Sequence, residues 1–150
     1  MKSKRRTKRR YNKKKQKKTL KRAGSLVIIT NTRVIKRFNK SPKGKQKFNK
    51  ELSIYKKGLS YVPKLISYNP DNLEIVMKNV GVSIKDKYKP TDRKKYLKDM
   101  KKLHKRFLRD TGYYHNDVRY QNTLLDRKGR LYFIDFEKID KKLKDTFNYK

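Results

Sequence analysis

The chain has 150 residues, of which 47 are Lys or Arg and 13 are Asp or Glu, giving a formal net charge of +34 at pH 7. A chain of this length can bury one hydrophobic core, and the absence of Cys excludes a disulfide framework, a thiolate zinc site and a Cys nucleophile. The sequence has neither an apolar stretch long enough to span a membrane nor a signal-peptide pattern. We therefore expect a protein without a membrane span that is intracellular, cytoplasmic or nuclear, and not secreted.

Residues 1–22 are the most basic part of the chain, with 14 Lys or Arg and no acidic residue. Self-repulsion and the scarcity of apolar residues predict a disordered basic arm. Such an arm is suited to bind nucleic acid by neutralising phosphates, or to act as a nuclear address. Composition is equally consistent with a solubilising tail that has only non-specific affinity for polyanions.

The next part of the chain is predicted to form a small sheet and one helix. Apolar, β-branched runs at 26–30 and 33–38 predict two strands joined as a hairpin. Residues 45–57 carry apolar side chains at helical spacing. Two further strands are predicted at 61–68 and 73–77, with a turn signal between them.

The second half is predicted to contain a long helix and a second hairpin. The helix would begin near Thr91 and end at Gly112, with an apolar face made of Tyr96, Met100, Leu103 and Phe107. Runs at 122–125 and 131–134 flank a turn and predict the hairpin. Because strands and helices are segregated rather than alternating, the predicted class is α+β.

Two segments carry residue types suited to one kind of chemistry. Residues 115–122 have the pattern H-x-D-x-x-x-x-N, and Asp135 follows a predicted strand directly. Upstream, Lys36 ends a Val-Ile-Lys run on a predicted strand, and Glu51 lies in the next predicted helix. Glu51 is the only acidic residue among the first 70, which sets it apart in so basic a chain.

Phosphoryl transfer needs a cation on the nucleotide phosphates, oxygen ligands for Mg²⁺ and a carboxylate that orients the attacking hydroxyl. Asn122 and Asp135 are the candidate metal ligands, because Mg²⁺ prefers oxygen donors and a hairpin would bring both to one edge. Asp117 is the candidate base. Lys36 would contact the phosphates, and Glu51 would hold the Lys36 ammonium group in place.

These residues, in this order and spacing, resemble the protein kinase-like superfamily in a very reduced form, over roughly residues 24–137. Lys36 matches the strand lysine of V-A-I-K, and Glu51 matches its helix glutamate. Asp117 matches the catalytic-loop aspartate, Asn122 the metal-binding asparagine and Asp135 the aspartate of D-F-G. The resemblance implies a minimal kinase-like domain over residues 23–150. It also implies a two-lobed fold, with a small antiparallel N-lobe sheet plus one helix and a truncated helical C-lobe.

The same resemblance implies that ATP and Mg²⁺ are bound. Residues 73–80 would form the strand and hinge that seat the adenine, so Met77 and Asn79 are further candidate cofactor contacts. Arg119 occupies the position where Ser/Thr kinases place a lysine near the γ-phosphate, and it would act there with Lys36 and Asp117. From its residue type alone, Arg119 is equally well explained as a surface phosphate binder.

The sequence also departs from the kinase pattern. No glycine-rich loop precedes the first predicted strand, so the phosphates would be poorly covered. The third motif reads Asp-Phe-Glu, which is similar to choline and aminoglycoside phosphotransferases. Asn116 replaces the arginine of H-R-D, so control by a phosphorylated activation loop is not expected. Only 13 residues follow Glu137, too few for an activation segment and the helices that recognise a peptide.

The function predicted is ATP-dependent phosphoryl transfer to a hydroxyl group, with Ser or Thr of a protein as the first choice of acceptor. A small-molecule phosphotransferase is one alternative. The other is a catalytically inactive kinase-like module, or a basic module unrelated to kinases, that binds nucleic acid or an acidic partner. The oligomeric state is left open.

Four aromatic residues have non-catalytic predictions. His115 is expected to make hydrogen bonds that shape its loop, rather than to act as a base. His104 is expected on the surface of the long helix, and Tyr113 and Tyr114 are expected in the core.

Overall fold

Two antiparallel sheets and three α-helices make up the fold in residues 17–22, 24–87 and 89–144, which the computed structural model describes. The strands are β1 (Lys18–Arg22), β2 (Ser25–Ile29), β3 (Arg33–Phe38), β4 (Leu65–Asn69), β5 (Glu74–Lys78), β6 (Val82–Ser83), β7 (Thr123–Leu125) and β8 (Leu131–Phe133). The helices are α1 (Pro42–Tyr55), α2 (Ile84–Lys87) and α3 (Arg93–Thr111). This mixed content with antiparallel sheets agrees with the predicted α+β class.

The larger sheet has the strand order β1-β2-β3-β5-β4. The predicted hairpin is present as β2 and β3, and both later strands are present as β4 and β5. Strand β3 lies at the centre of the sheet, where Lys36 is opposite Val27 on one side and Ile75 on the other. The backbone at Lys36 is therefore fixed by strands on both sides.

Strand β1 differs from the prediction of a disordered arm over residues 1–22. Lys18–Arg22 pair with β2 along their whole length, with Leu20 opposite Val27. An open sheet edge offers backbone hydrogen bonds to any extended segment, and exposed lysines are common on such edge strands. The rest of the predicted arm, residues 1–16, lies outside the described residues, and its binding of nucleic acid stays a prediction.

Helix α1 begins three residues earlier than predicted, because the chain offers a good cap there. The Ser41 hydroxyl accepts a hydrogen bond from the Gly44 N–H at 3.0 Å, and Pro42 occupies the first turn, where its missing N–H costs nothing. The buried face of the helix contains Phe48, Glu51, Leu52 and Tyr55. Glu51 is thus a charged residue on an otherwise apolar face.

The second sheet has the order β6-β7-β8 and contains the predicted second hairpin, β7 and β8. Helix α3 has 19 residues and ends at Gly112, whose φ of 73° allows the left-handed cap. A short 3₁₀ turn over 90–92 precedes α3, so Thr91 is not its cap. Among the described residues, no helix combines the length and the apolar character needed to cross a membrane.

Aromatic side chains from α3, β8 and the segment after β8 pack together in the core. Phe107, Phe133 and Phe136 are all 0% exposed, and the rings of Phe107 and Phe136 stack with centroids 5.6 Å apart. This contact fixes the chain immediately after Asp135. Tyr113 is only half-buried, packed against the core.

His104 corrects a prediction, because it is 5% exposed rather than on the surface. It lies on α3 between Met100 and Phe107, both fully buried, so helical geometry turns it inward. The lysines next to it in the sequence are exposed, and they made an exposed position the natural prediction for His104 as well.

Gly81 lies where the segment after β5 passes close to the end of β7. A Cβ on Gly81 would lie 2.1 Å from the Leu125 carbonyl oxygen. We expect Gly81→Ala to lower the free energy of unfolding by about 1–3 kcal/mol, since the backbone on both sides resists moving. Urea denaturation measures this, with Gly58→Ala as the control, where the methyl meets no atom within 4 Å and only a positive φ opposes it. A smaller loss for Gly81→Ala than for the control would contradict the prediction.

Candidate active site

A buried ion pair joins the larger sheet to α1. The Lys36 Nζ on β3 lies 3.0 Å from the Glu51 Oε1 on α1. Lys36 is 7% exposed and Glu51 is 0% exposed. The same Glu51 oxygen accepts a hydrogen bond from the Phe136 backbone N–H at 2.9 Å. Glu51 therefore connects the strand lysine to the segment that follows β8.

Burial acts on the protonation of both partners. It raises the pKa of Glu51 to about 7, and the attraction of Lys36 opposes that rise. Burial alone would lower the pKa of Lys36, but three nearby carboxylates raise it above its usual value, so the ammonium stays charged at neutral pH. Glu51 Oε2 is buried without a hydrogen-bond partner in the part of the chain described, so it is the oxygen free to carry a proton.

Two carboxylates from the segment after β8 also contact Lys36. Asp135 Oδ1 and Glu137 Oε1 each lie 3.0 Å from the Lys36 Nζ. Asp135 has a left-handed backbone with φ 68°, a conformation that Asp tolerates better than most residues. Although burial opposes ionisation, Lys36 and then Arg22 hold the pKa of Asp135 below its usual value. Asp135 is therefore a carboxylate at neutral pH.

The loop after α3 is shaped by a buried histidine. His115 Nε2 lies 2.9 Å from the Ile134 carbonyl oxygen, and His115 Nδ1 accepts from the Asp117 N–H at 3.3 Å. A neutral ring protonated at Nε2 satisfies both contacts. Burial lowers the pKa of His115, which favours that neutral form. These contacts agree with the predicted structural role for His115.

The two buried histidines each contribute a loss of stability in mild acid, against a gain from buried Glu51, whose pKa is raised. The His104 Nε2 accepts from the His115 N–H, and burial, with His115 nearby, lowers the pKa of His104 to about 4. Below pH 6.5 the unfolded chain therefore binds protons that the folded chain does not. We expect His104 to lower the free energy of unfolding by about 1–2 kcal/mol between pH 7 and pH 5.

Urea denaturation at the two pH values, in wild type and His104→Gln, measures this contribution. Glutamine keeps an acceptor for the His115 N–H but does not titrate. The change in stability from pH 7 to pH 5 should be more favourable in the variant than in wild type, and the same change in both proteins would remove His104 as a cause.

The Asp117 carboxylate is held by one amide and two cations. Asn122 Nδ2 donates to Asp117 Oδ2 at 2.9 Å and to the Asp117 carbonyl oxygen at 3.0 Å. Arg119 Nη2 lies 2.7 Å from Asp117 Oδ1, and Lys138 Nζ lies 3.4 Å from the same oxygen. The Asp117 side chain is 12% exposed, so it lies close to the surface without being fully buried.

A cleft of about 410 Å³ lies between the larger sheet and the β7–β8 hairpin. Its walls are mostly apolar, with Val27, Val34, Met77 and Leu124 from the two sheets and Ile134 directly after β8. Lys36, Glu51 and Asp135 also line it. The cleft thus combines an apolar interior with a charged group of three, which is the usual form of a small-molecule site.

The predicted hinge residues line the same cleft. Met77 is 4% exposed there. Asn79 Nδ2 donates to the Thr30 carbonyl at 2.8 Å, and Asn79 Oδ1 accepts from the Gly81 N–H at 3.2 Å. These bonds hold the Asn79 side chain against the β2–β3 turn, so it shapes the wall of the cleft.

The predicted site residues form two sets that meet at residues 135–138. Asp117, Arg119 and Asn122 do not line the cleft, whereas Lys36, Glu51 and Asp135 do. The short segment contacts both sets, because Glu137 reaches Lys36 and Lys138 reaches Asp117. The Ile134 N–H also donates to the Asn122 carbonyl at 3.1 Å.

Sequence reasoning missed several residues of the cleft. Lys18, Leu20 and Arg22 line it from β1, and Arg22 Nη1 lies 3.8 Å from Asp135 Oδ2. The one apolar residue Leu20 between polar neighbours was the available signal for a strand here, and the high charge of the surrounding sequence obscured it. The role of Glu137 was also missed, although its place in Asp-Phe-Glu marked it as unusual.

The donor set fits Mg²⁺ held jointly with water and phosphate. Within the described ranges, no group of three or more His, Cys, Asp or Glu side chains is placed to hold a metal ion. Asn122 uses its Nδ2 for Asp117, and none of the described residues hydrogen-bonds to its Oδ1. One amide oxygen and the Asp135 carboxylate match the few protein ligands that Mg²⁺ usually takes.

The sequence matches no family model and no curated protein. Among solved structures, the bifunctional kinase-methyltransferase WbdD is 19% identical with a TM-score of 0.60, covering 79% of this chain and 30% of that chain. Monomeric WbdD is 20% identical with a TM-score of 0.61, covering 79% of this chain and 33% of that one. WbdD in complex with the kinase inhibitor LY294002 is 16% identical with a TM-score of 0.56, covering 81% and 32%.

This chain spans about a third of the length of those structures. At such low identity the likeness concerns the fold, and it agrees with the order of the sheet, α1, the long helix and the hairpin described above. The predicted resemblance is confirmed at that level: the described part of the chain has a kinase-like fold.

Proposed function

We propose that this chain is an ATP-dependent phosphotransferase of the protein kinase-like type, acting on a hydroxyl acceptor. The observation that supports this most is the meeting of Lys36, Glu51 and Asp135 at one apolar cleft. A fixed ammonium group beside a carboxylate in such a cleft is suited to phosphates and their metal ion. The kinase-like fold of the solved relatives supports the same proposal.

The roles in nucleotide binding fall to three cleft residues and to two metal ligands. Lys36 would bind phosphate oxygens by exchanging part of its carboxylate contacts, and Glu51 would keep its ammonium group oriented. Met77 and the other apolar side chains would hold the adenine and exclude water. Bound Mg²⁺, with Asn122 and Asp135 as its protein ligands, would neutralise charge on the phosphates.

The loop after α3 supplies the residues for the acceptor. Asp117 would accept a hydrogen bond from the acceptor hydroxyl and take its proton on a carboxylate oxygen as the hydroxyl attacks. Asn122 holds that residue in position, with one hydrogen bond to the carboxylate and one to the Asp117 backbone carbonyl oxygen. Arg119 would stabilise the negative charge that develops nearby, since its fork carries a permanent charge.

Ser or Thr of a protein is the first choice of acceptor, and a small molecule is the second, which the Asp-Phe-Glu motif favours. We also place the start of the domain at β1 rather than at residue 23, because β1 belongs to the larger sheet and lines the cleft. In this proposal the sheet with α1 forms the N-lobe and the rest forms a reduced C-lobe.

Radiolabelled phosphate transfer from Mg·ATP tests the proposal, with wild type and Asp135→Ala compared on protein and small-molecule acceptors. Wild type should label at least one acceptor class, and the variant should not. Equal labelling by both proteins would refute the assigned site. A wild type that neither labels an acceptor nor is stabilised by millimolar Mg·ATP would favour the inactive module, since a site occupied at 100 times its Kd adds about 2.7 kcal/mol.

A further inference from the structure

Glu137 uses its two carboxylate oxygens to bind two different lysines. Oε1 lies 3.0 Å from the Lys36 Nζ, and Oε2 lies 2.6 Å from the Lys47 Nζ. The Glu137 side chain is 16% exposed, against 9% for Lys36 and 25% for Lys47. Both ion pairs are therefore partly shielded from water. Shielding makes them stronger than ion pairs on an open surface.

Lys47 and Glu51 are one helical turn apart on α1, so they share a face of that helix. Glu51 accepts from the Phe136 N–H, and Lys47 binds the side chain of the next residue, Glu137. Helix α1 thus holds two successive residues of the segment after Asp135. This segment, residues 135–138, is the one that contacts both sets of site residues, the set at the cleft and the set around Asp117.

We propose that Glu137 is a positioning residue that fixes α1 and the Asp135 segment around Lys36. This inference rests on the proposed function, since it assigns Glu137 a part in the same site. Glycine, the D-F-G residue at this position, has no side chain and can form neither ion pair. Lys36 would then keep only its Glu51 and Asp135 contacts.

The charges around the segment are balanced within the chain itself. Three carboxylates face three cations in this cluster, which consists of Glu51, Asp135, Glu137, Lys36, Lys47 and Arg22. Balanced, partly buried charges favour one arrangement of the segment, and removing Glu137 would leave Lys47 without its carboxylate and Lys36 with one carboxylate fewer. The site is therefore held in place without a phosphorylated loop, whose control the sequence does not provide.

The test compares Glu137→Gln and Lys47→Met with a matched control, Glu74→Gln, which removes a carboxylate paired with Arg37 on β3. The first readout is hydrogen exchange of the Phe136 amide without nucleotide. We expect about tenfold faster exchange in Glu137→Gln and in Lys47→Met, and no change in the control. Lys47→Met leaves Lys36 with its three carboxylates, so it keeps the test decisive if Glu137→Gln folds poorly.

The second readout is steady-state kinetics. We expect kcat to fall about tenfold in Glu137→Gln, with a smaller change in the KM for ATP, because the positions of Lys36 and Asp135 matter most in the transition state. Adding Lys47→Met to Glu137→Gln should cost less than the sum of the single effects, since each variant alone already removes the Lys47–Glu137 ion pair.

Two results would overturn the proposal. Unchanged Phe136 exchange in both variants would show that Glu137 does not fix the segment. A rise in kcat for Glu137→Gln would show that Glu137 restrains Lys36 rather than positions it. If wild type transferred no phosphate, the proposed function would fail while the exchange measurement still decided the role of Glu137 in positioning.

Discussion

Replacing Asp117 with Asn is expected to lower the rate of phosphoryl transfer by about 10²–10⁴-fold, the usual contribution of a positioned base. The amide has nearly the shape of the carboxylate but cannot take the hydroxyl proton. Its binding partners would also change, because Asn122 Nδ2 and Arg119 both donate to the Asp117 carboxylate. The measurement is transfer of radiolabelled phosphate at saturating Mg·ATP.

Nucleotide binding separates a lost base from a damaged cleft. Asp117 does not line the cleft, so Asp117→Asn should keep the thermal stabilisation that Mg·ATP gives to wild type. Asp99→Asn, within α3, removes one carboxylate that belongs to neither set of site residues and should transfer phosphate at the wild-type rate. Transfer by Asp117→Asn at the rate of this control would remove Asp117 as the base.

Local patterns predicted most of the fold. The β2–β3 and β7–β8 hairpins and the two later strands followed from apolar runs between turn residues, and α3 followed from its apolar spacing up to Gly112. The order of Lys36, Glu51, Asp117, Asn122 and Asp135 predicted one site; the structure brings Lys36, Glu51 and Asp135 to the cleft and pairs Asp117 with Asn122 in the loop after α3. Their catalytic roles stay predictions.

The features missed depend on contacts between distant residues. Strand β1 exists because β2 offers it a free edge, and the Lys18–Arg22 sequence carries little apolar signal of its own. His104 is buried by packing that its lysine neighbours conceal. Glu137 binds residues 90 or more positions away, so only the assembled fold could show its two ion pairs.

Lys36→Met is expected to lower the free energy of unfolding by about 3–5 kcal/mol, the cost of leaving a buried carboxylate without its partner. Glu51 is 0% exposed, and Asp135 and Glu137 also lose their contact with Lys36. A loss of this size is a large fraction of the roughly 5–15 kcal/mol that stabilises a typical domain. Urea denaturation at pH 7 measures it, and phosphoryl transfer should be lost as well.

Two further variants identify the buried charge as the cause. Arg37→Met, one residue along β3, removes a half-exposed cation paired with Glu74 and should cost no more than about 1 kcal/mol. In Lys36→Met with Glu51→Gln, the neutral amide still offers an oxygen to the Phe136 N–H, so stability should recover in large part while transfer stays absent. Without Lys36 the buried Glu51 carboxyl must either stay charged or take up a proton, and both cost stability, whereas Gln at this position does neither. If the double variant were less stable than Lys36→Met alone, the unpaired Glu51 carboxyl would not be what destabilises the fold.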